Sequence, residues 1–313
     1  MSRLKTILKQ CRYWLDAHTY KLPEPNGAII LNYHHIIPDD QMETNLLFGY
    51  SHRVSSFETQ VKWLSKHFKN SLDFSVQKSF VITFDDCSQH TFEMAVPILE
   101  KYGIKAHLFM VENTIGKTIW IDRYFFWLSY TPAGKYHLFD KEYTLGSHRS
   151  RIAAHQKLWS LYTTNVEFQE ILNEMDKAFP YSNLETESIR LKKRLNTLTT
   201  EQCHKLKEMG HFVGFHSQNH EQLSKIETEK LMLECEPKEK ILFNSNTFAI
   251  PFGGLNDYNQ TVLTAIKKAG FNSILLNHPK RANNKVYGRL NLPDTSNRYA
   301  IQYCVKRYLK SIA

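Results

Sequence analysis

One short strand with two acids at its end constrains the fold more than any other segment. The run Phe80–Phe84 is β-branched and aromatic, which predicts a buried strand, and Asp85 and Asp86 follow it directly. Adjacent carboxylates beside a core are costly unless they are paired or bound to a cation. Neighbouring side chains of a strand point to opposite faces, but at a strand end the chain turns, so both carboxylates can line one cleft.

The chain on both sides of this strand alternates between strands and helices. Strands are predicted at 28–33, 106–111, 212–215, 247–250 and 273–276, and helices at 55–68, 91–102, 199–209, 227–243 and 259–268. This rhythm indicates parallel βα units. Residues from about 117 to 198 interrupt it with aromatic and helical patterns. We therefore predict an α/β fold, a distorted or incomplete (β/α) barrel with a mainly helical insertion at about 117–198.

Composition narrows the classes of partner. The 313 residues are 42% hydrophobic, which suits a folded globular protein, and the net charge is +9. A basic chain attracts anionic partners such as phosphorylated substrates or acidic membrane surfaces. We see no Lys/Arg-rich block and no zinc-finger or RNA-recognition signature, so we do not expect nucleic acid as a partner.

Residues 1–22 predict a basic amphipathic N-terminal helix. Apolar side chains from Leu4 to Leu15 recur at helical spacing with Arg and Lys between them. Such a helix can lie on an anionic membrane surface, or it can pack on its own domain or on a partner subunit, which we prefer. Five dispersed cysteines without Cys-x-x-Cys and the lack of an export signal predict a cytoplasmic protein. The helix would allow peripheral contact with the inner face of the membrane through residues 1–20.

Two histidines follow another predicted strand. His216 and His220 come directly after Phe212–Phe215. In barrel-like α/β folds the C-terminal ends of the strands gather around one site, so these imidazoles are expected to meet the acids after Phe84. One carboxylate and two imidazoles form a common ligand set for a divalent metal with an open position. The other carboxylate is then free to act as a base.

These segments resemble motifs of the polysaccharide deacetylase family, carbohydrate esterase family 4. Thr83-Phe84-Asp85-Asp86-Cys87 is similar to its Thr-Phe-Asp-Asp-Gly motif, and His216–His220 to its His-Ser/Thr-x-x-His motif. Ile250–Gly254 resembles its Arg-x-Pro-Tyr motif. The resemblance covers most of residues 28–116 and 198–276, and it favours the branch that acts on exopolysaccharides and envelope glycans. It implies a catalytic domain over residues 23–313.

The resemblance also implies a role for each matched residue. Asp86, His216 and His220 would hold a divalent metal, usually zinc in this family. Asp85 would be the general base that activates water. A backbone N–H near Phe252 would help the metal to stabilise the oxyanion.

Two histidines compete for the role of general acid. The Tyr33-His34 segment resembles the front of exopolysaccharide-type members, where this histidine is the acid. The Leu276–His278 segment resembles a Leu-x-His motif at the back of other members. We prefer His34 because the stretch 53–61 also matches the first group. His35 is interpreted as a neighbour of the site or as a solvent-facing residue.

Three departures from the family pattern bear on the site. Cys87 replaces a glycine and does not easily take a positive φ, so the turn after the aspartates is expected to differ. Ala249 replaces the arginine that orients the base in the family, and Arg289 is a candidate substitute. Phe252 replaces a tyrosine, which matters little if only its N–H is used.

The sequence thus predicts a metal-dependent de-N-acetylase, a hydrolase of a linear amide C–N bond, in envelope polysaccharide or lipopolysaccharide biosynthesis. Its substrate would be an N-acetylated sugar or glycan, and a lipid or nucleotide carrier would suit the basic charge because both carry phosphate. Two alternatives stay open. One is a non-catalytic glycan- or lipid-binding relative, motivated by the lost arginine and glycine. The other is an amidohydrolase acting on a non-sugar substrate.

Overall fold

The computed structural model describes residues 12–15, 27–42, 50–163, 167–279 and 283–312. The strands are β1 (Ile29–Tyr33), β2 (His35–Ile37), β3 (Ser51–Arg53), β4 (Lys69–Asn70), β5 (Ser79–Asp85), β6 (Ala106–Met110), β7 (Gly134–Leu138), β8 (Lys141–Leu145), β9 (Phe212–Phe215), β10 (Thr247–Ala249), β11 (Ser273–Leu276), β12 (Val286–Gly288) and β13 (Leu290–Asn291). The helices are α1 (Val54–His67), α2 (Val96–Lys101), α3 (Trp120–Tyr130), α4 (His148–Thr163), α5 (Phe168–Ala178), α6 (Glu185–Arg190), α7 (Lys192–Leu195), α8 (Thr200–Glu208), α9 (Thr228–Cys235), α10 (Gln260–Lys268) and α11 (Arg298–Ile312).

The main sheet is a nearly closed parallel barrel. Its strand order is β12-β11-β10-β9-β6-β5-β1-β13, with the short β4 beside β5, and all the pairings are parallel. The two edge strands β12 and β13 are separated in the chain by Arg289 alone. One continuous segment therefore pairs with β11 on one side and with β1 on the other. The predicted (β/α) barrel is confirmed.

Alternation along β1 and β5 divides the barrel interior into an apolar and a polar level. Ile30 and Val81 are paired in register and belong to an inner apolar cluster with Phe109, Ala249 and Leu275. Two residues further along each strand, on the same face, stand Asn32 and Thr83. The C-terminal end of the barrel is therefore lined by polar groups, while the outward-facing residues of these strands belong to the surrounding core.

Helices cover the outside of the barrel largely where the periodicity predicted them. The helix predicted at 91–102 begins as a π-helical turn, Thr91–Ala95, and continues as α2. The helix predicted at 227–243 ends at Cys235, two residues before Pro237. Thr199 caps α8, with its hydroxyl accepting from the N–H of Gln202 at 3.2 Å.

The segment 117–198 packs around a hydrophobic cluster of its own, built from α3 to α7 and a hairpin. The antiparallel hairpin β7–β8 was not anticipated. The end of the segment is tied to the turn after the aspartates, because the N–H of Leu198 donates to the carbonyl of Cys87 at 2.9 Å. The insertion is thus attached directly beside the acidic motif.

Only part of the predicted N-terminal helix lies within the described residues. Residues 12–15 are helical, and the ring of Tyr13 lies 5.0 Å from that of Tyr303 on α11. The rest of residues 1–22 lies outside the described part of the chain. No helix in the described ranges is long and apolar enough to cross a membrane.

Candidate active site

Asp85 and Asp86 leave β5 in a sharp turn. Asp85 ends the strand with its side chain facing the barrel interior, and Asp86 and Cys87 have φ of +61° and +48°. Cys87 thus adopts the left-handed conformation that glycine adopts more easily, with its N–H donating to the carbonyl of Asp85 at 2.7 Å. Its side chain is fully buried in the core around the barrel. Both carboxylates line the same pocket.

The histidine motif forms a loop after β9. His216 follows β9, and Ser217 and His220 have φ of +65° and +61°. The N–H of His220 donates to Oγ of Ser217 at 2.9 Å. Nδ1 of His216 lies 2.7 Å from the carbonyl oxygen of Ala249, which requires the proton on Nδ1 and leaves a lone pair on Nε2.

Asp86, His216 and His220 form a group that fits a metal ion. Oδ1 of Asp86 lies 3.6 and 3.5 Å from Nε2 of His216 and His220, and the ligand atoms all lie within 4.8 Å of one another. Burial raises the pKa of Asp86 well above its ordinary value, and it lowers the pKa of both histidines. Oδ1 of Asp86 is buried and has no hydrogen-bond partner among the described residues. A divalent cation between these atoms would compensate the buried carboxylate.

Arg289 takes the place of the family arginine that orients the base. It lies between β12 and β13, is fully buried, and donates from its two terminal nitrogens to Oδ1 and Oδ2 of Asp85 at 2.7 and 2.6 Å. Burial by itself raises the pKa of Asp85. The charge and hydrogen bonds of Arg289 and the nearby His216 outweigh that effect and hold this pKa well below its ordinary range. Asp85 is therefore ionised and fixed in orientation although Ala249 replaces the family arginine.

A polar network that sequence reasoning missed supports this pair. Asn32 donates to Oδ2 of Asp85 at 3.1 Å and to Oδ1 of Asn277 at 3.0 Å. Arg289 also donates to Oδ1 of Asn32 at 2.9 Å and to Oγ1 of Thr83 at 3.2 Å. The sequence did carry a signal for this network, since Asn32 and Thr83 are polar residues at inward-facing positions of the otherwise apolar β1 and β5.

The structure distinguishes between the two candidate acids by position. His34 lines the pocket with Asp85, its ring lies 4.7 Å from that of Tyr50, and burial lowers its pKa to about 3. His278 is not among the described residues that line the pocket, and its Nδ1 lies 2.9 Å from the carbonyl of Gly253. His34, the residue preferred from the sequence, thus shares the pocket with Asp85, and its role as the general acid stays a prediction.

A second missed feature is a buried pair between the barrel and the insertion. Nε2 of His35 lies 3.1 Å from Oδ1 of Asp122, and both side chains are at most 6% exposed. Asp122 belongs to α3, so the insertion delivers a carboxylate into the site. His35 lines the pocket and does not face bulk solvent.

The pocket has a volume of about 420 Å³. Its described lining consists of His34, His35, Tyr50, Asp85, Asp86, Ile121, Asp122, Phe125, His155, Trp159, Tyr162, His216, His220, Gln222, Phe252, Gly254, Asp257 and Asn277. The N–H of Phe252 has no hydrogen-bond acceptor among the described residues.

The fold and this site define a (β/α)-barrel protein with an Asp/His/His group at the C-terminal mouth of the barrel. The polysaccharide deacetylase family model matches residues 75–274, more than half of the chain. The protein therefore belongs to the polysaccharide deacetylase family, as its motifs predicted.

Curated relatives match a shorter segment. The poly-β-1,6-N-acetyl-D-glucosamine N-deacetylase of Staphylococcus epidermidis is 33% identical over 117 residues, which cover 30% of this chain and 39% of the relative. The Staphylococcus aureus protein of that name is 32% identical over 111 residues, covering 29% of this chain and 38% of the relative. The match thus spans about two fifths of each relative.

Solved structures share the fold over nearly the whole chain. The Streptococcus pyogenes deacetylase PplD aligns with a TM-score of 0.53 and 16% identity, over 92% of this chain and 99% of the other. IcaB from Ammonifex degensii aligns with a TM-score of 0.51 and 14% identity, over 93% and 100%. At this identity the similarity shows the fold alone.

Proposed function

We propose that this protein is a metal-dependent de-N-acetylase that removes acetate from an N-acetylated sugar. The observation that carries the proposal is Asp85, held at both carboxylate oxygens by Arg289 and lining one pocket with the buried Asp86/His216/His220 group. Membership of the polysaccharide deacetylase family supports the reaction class. The printed names of the staphylococcal relatives support an N-acetylated sugar as the substrate.

Asp86, His216 and His220 would hold the metal, for which we propose zinc. When bound, a divalent ion supplies a Lewis acid and lowers the pKa of water towards neutrality. Asp85 accepts the proton of the attacking water, and Arg289 keeps both of its oxygens oriented while this happens. The N–H of Phe252 donates to the oxyanion that forms from the acetyl carbonyl.

The C–N bond then breaks, and the leaving nitrogen takes a proton as acetate departs. We assign this proton delivery to His34, which shares the pocket with Asp85. Burial favours the neutral imidazole of His34. Because the neutral ring carries no proton to spare, His34 takes up the proton that Asp85 removed from the attacking water and passes it to the leaving nitrogen, so that both side chains return to their starting forms.

The two features that motivated a non-catalytic relative are both compensated in this chain. Arg289 replaces the missing arginine at Asp85, and Cys87 adopts a positive φ in place of glycine. These observations support an enzyme over a binding relative. For the cellular role we propose cytoplasmic envelope-glycan biosynthesis, supported by the basic charge and the amphipathic pattern of residues 1–20.

The test is amine and acetate release from a panel of N-acetylated sugars by the zinc-loaded protein. Asp85→Asn should abolish release while it retains stoichiometric zinc, because Asp85 is not in the ligand group. Asp140→Asn, an exposed change at the tip of the β7–β8 hairpin, should keep full activity. The proposal fails if the zinc-loaded protein releases acetate from no N-acetylated sugar, or if Asp85→Asn remains fully active.

A further inference from the structure

The insertion forms one wall of the pocket. α3 contributes Ile121, Asp122 and Phe125, and α4 contributes His155 and Trp159 together with Tyr162. The opposite wall consists of the strand ends that carry the acids and histidines of the site. A ligand in the pocket would therefore lie between the barrel mouth and the insertion.

Aromatic contacts fix this wall to the site loops. The ring of Phe252 lies 5.7 Å from that of Trp159 and 4.7 Å from that of His220. Trp120 of α3 lies 5.7 Å from His220. Together with the buried His35–Asp122 pair, these contacts pack α3 and α4 against the loops of the site.

The pocket offers an unpaired acceptor for a sugar hydroxyl. Gln222 is 9% exposed, and its Nε2 donates to Oδ1 of Asp257 at 2.7 Å. Its buried Oε1 has no partner among the described residues, although the side chain lines the pocket. An unpaired buried acceptor in a pocket wall calls for a donor from a ligand, such as a hydroxyl.

Size and charge limit what can enter. A volume of about 420 Å³ lies near the lower end of the ~300–1,000 Å³ usual for small-molecule sites. The described lining holds four carboxylates, Asp85, Asp86, Asp122 and Asp257, and no Lys or Arg. Such a lining accommodates an uncharged sugar ring with its hydroxyls. Apart from the proposed metal, it offers no Lys or Arg side chain to a phosphate.

We propose that the pocket admits one terminal N-acetylated sugar, end-on, against the aromatic wall of the insertion. The rest of the glycan, or the phosphate of a carrier, stays outside. The enzyme would thus act on chain ends or on short saccharides and not on internal units of a polymer. This inference rests on the proposed de-N-acetylase function and specifies its substrate class.

A length series tests the inference. Zinc-loaded protein is incubated with β-1,6-linked N-acetylglucosamine, from the monosaccharide to the hexamer, and with a wider panel of N-acetylated sugars. The initial rate per chain and the position of the free amine are measured by mass spectrometry. We expect a rate per chain that does not rise beyond the disaccharide, with the free amine in a terminal unit.

Rates that rise several-fold with length, or amines in internal units, would overturn this inference and leave the proposed function intact. Absence of release from every sugar would overturn the proposed function and the inference together. Release from short saccharides alone, or from a single terminal unit, supports both.

Variants of the wall give a second readout. Trp159 is partly exposed on α4, so Trp159→Ala should fold, and it should raise KM for the shortest substrate at least tenfold with a smaller change in kcat. The milder Trp159→Phe should lie between the wild type and Trp159→Ala. The matched control, Trp14→Ala at a tryptophan 49% exposed, should leave both constants unchanged. An unchanged KM in folded Trp159→Ala and Trp159→Phe would contradict the proposed wall.

Discussion

Arg289 donates to both oxygens of Asp85, at 2.7 and 2.6 Å, from the single residue that separates the two edge strands of the barrel. The same segment that closes the barrel therefore also orients the proposed base. This pair is fully buried, so its two partners depend on each other for stability as well as for function.

Removing Arg289 should destabilise the protein and inactivate it. Arg289→Met leaves Asp85 buried without a cation, which should lower the free energy of unfolding by about 3–5 kcal/mol. We expect kcat to fall at least about 100-fold, since the base loses its orientation. Denaturant unfolding and steady-state kinetics measure the two effects.

A matched double variant tests whether the uncompensated charge of Asp85 causes the loss of stability. Arg289→Met with Asp85→Asn removes both charges, so it should recover part of the lost stability while remaining inactive. If the free energy of unfolding of the single Arg289→Met variant lies within ~1 kcal/mol of that of the wild type, the pair contributes little net stability.

Asp86 should destabilise the metal-free protein and stabilise the zinc-bound one. Burial raises the pKa of Asp86, so its ionised form is unfavourable without a cation. After chelation, Asp86→Asn should have a higher melting temperature than the wild type. With zinc the order should reverse, since a ligand at 100 times its Kd adds about 2.7 kcal/mol to the form that binds it.

Calorimetry with zinc and with a chelator, next to metal analysis of each protein, checks this reversal. His220→Ala should lose zinc, and its melting temperature should not respond to the metal. An Asp86→Asn protein that binds zinc as tightly as the wild type would contradict the ligand assignment.

The sequence predicted the parts of the site that depend on local pattern. β9 and β11 were placed correctly at both ends because an apolar run bounded by polar residues defines each of them. The convergence of Asp86, His216 and His220 followed from the rule that parallel strands end at one mouth. Neither argument needs knowledge of the side-chain packing.

What the sequence did not reveal depends on contacts between distant segments. β12 and β13 have only three and two residues, too few for a period, so Arg289 could be suggested but not placed. The His35–Asp122 pair joins residues 87 positions apart. The β7–β8 hairpin turns through Phe139 and Asp140, both with positive φ, without the Asn-Gly or Asp-Gly that predicts such turns.

The buried His35–Asp122 pair should matter more than an exposed pair on the same insertion. Asp122→Asn removes the charge that faces His35, and we expect a loss of about 1–3 kcal/mol, the usual cost of weakening a buried charged hydrogen bond. The control is Asp176→Asn, whose partner Arg123 and own side chain are 38% and 46% exposed. It should cost about 0–1 kcal/mol.

Because Asp122 lines the pocket, the KM of Asp122→Asn should also rise, whereas that of Asp176→Asn should not. Thermal unfolding and saturation kinetics on both variants check these differences. Equal effects of the two substitutions would argue against a special role for the buried pair.

Acid should destabilise the protein through His107, a buried histidine remote from the proposed metal ligands. Its Nε2 donates to the carbonyl of Leu72 at 2.8 Å, and burial lowers its pKa to about 4, below the ordinary 6.5. Between these values the unfolded chain binds a proton that the folded protein does not, so stability falls as the pH drops from about 6.5 to about 4. Over the whole range, the free energy of unfolding should fall by about 3 kcal/mol through this one group.

The variant His107→Gln tests this pH dependence. It keeps an N–H donor but cannot titrate, and its free energy of unfolding should therefore change less over this range. Urea unfolding of both proteins at a series of pH values measures the difference, and parallel curves would show that His107 does not contribute.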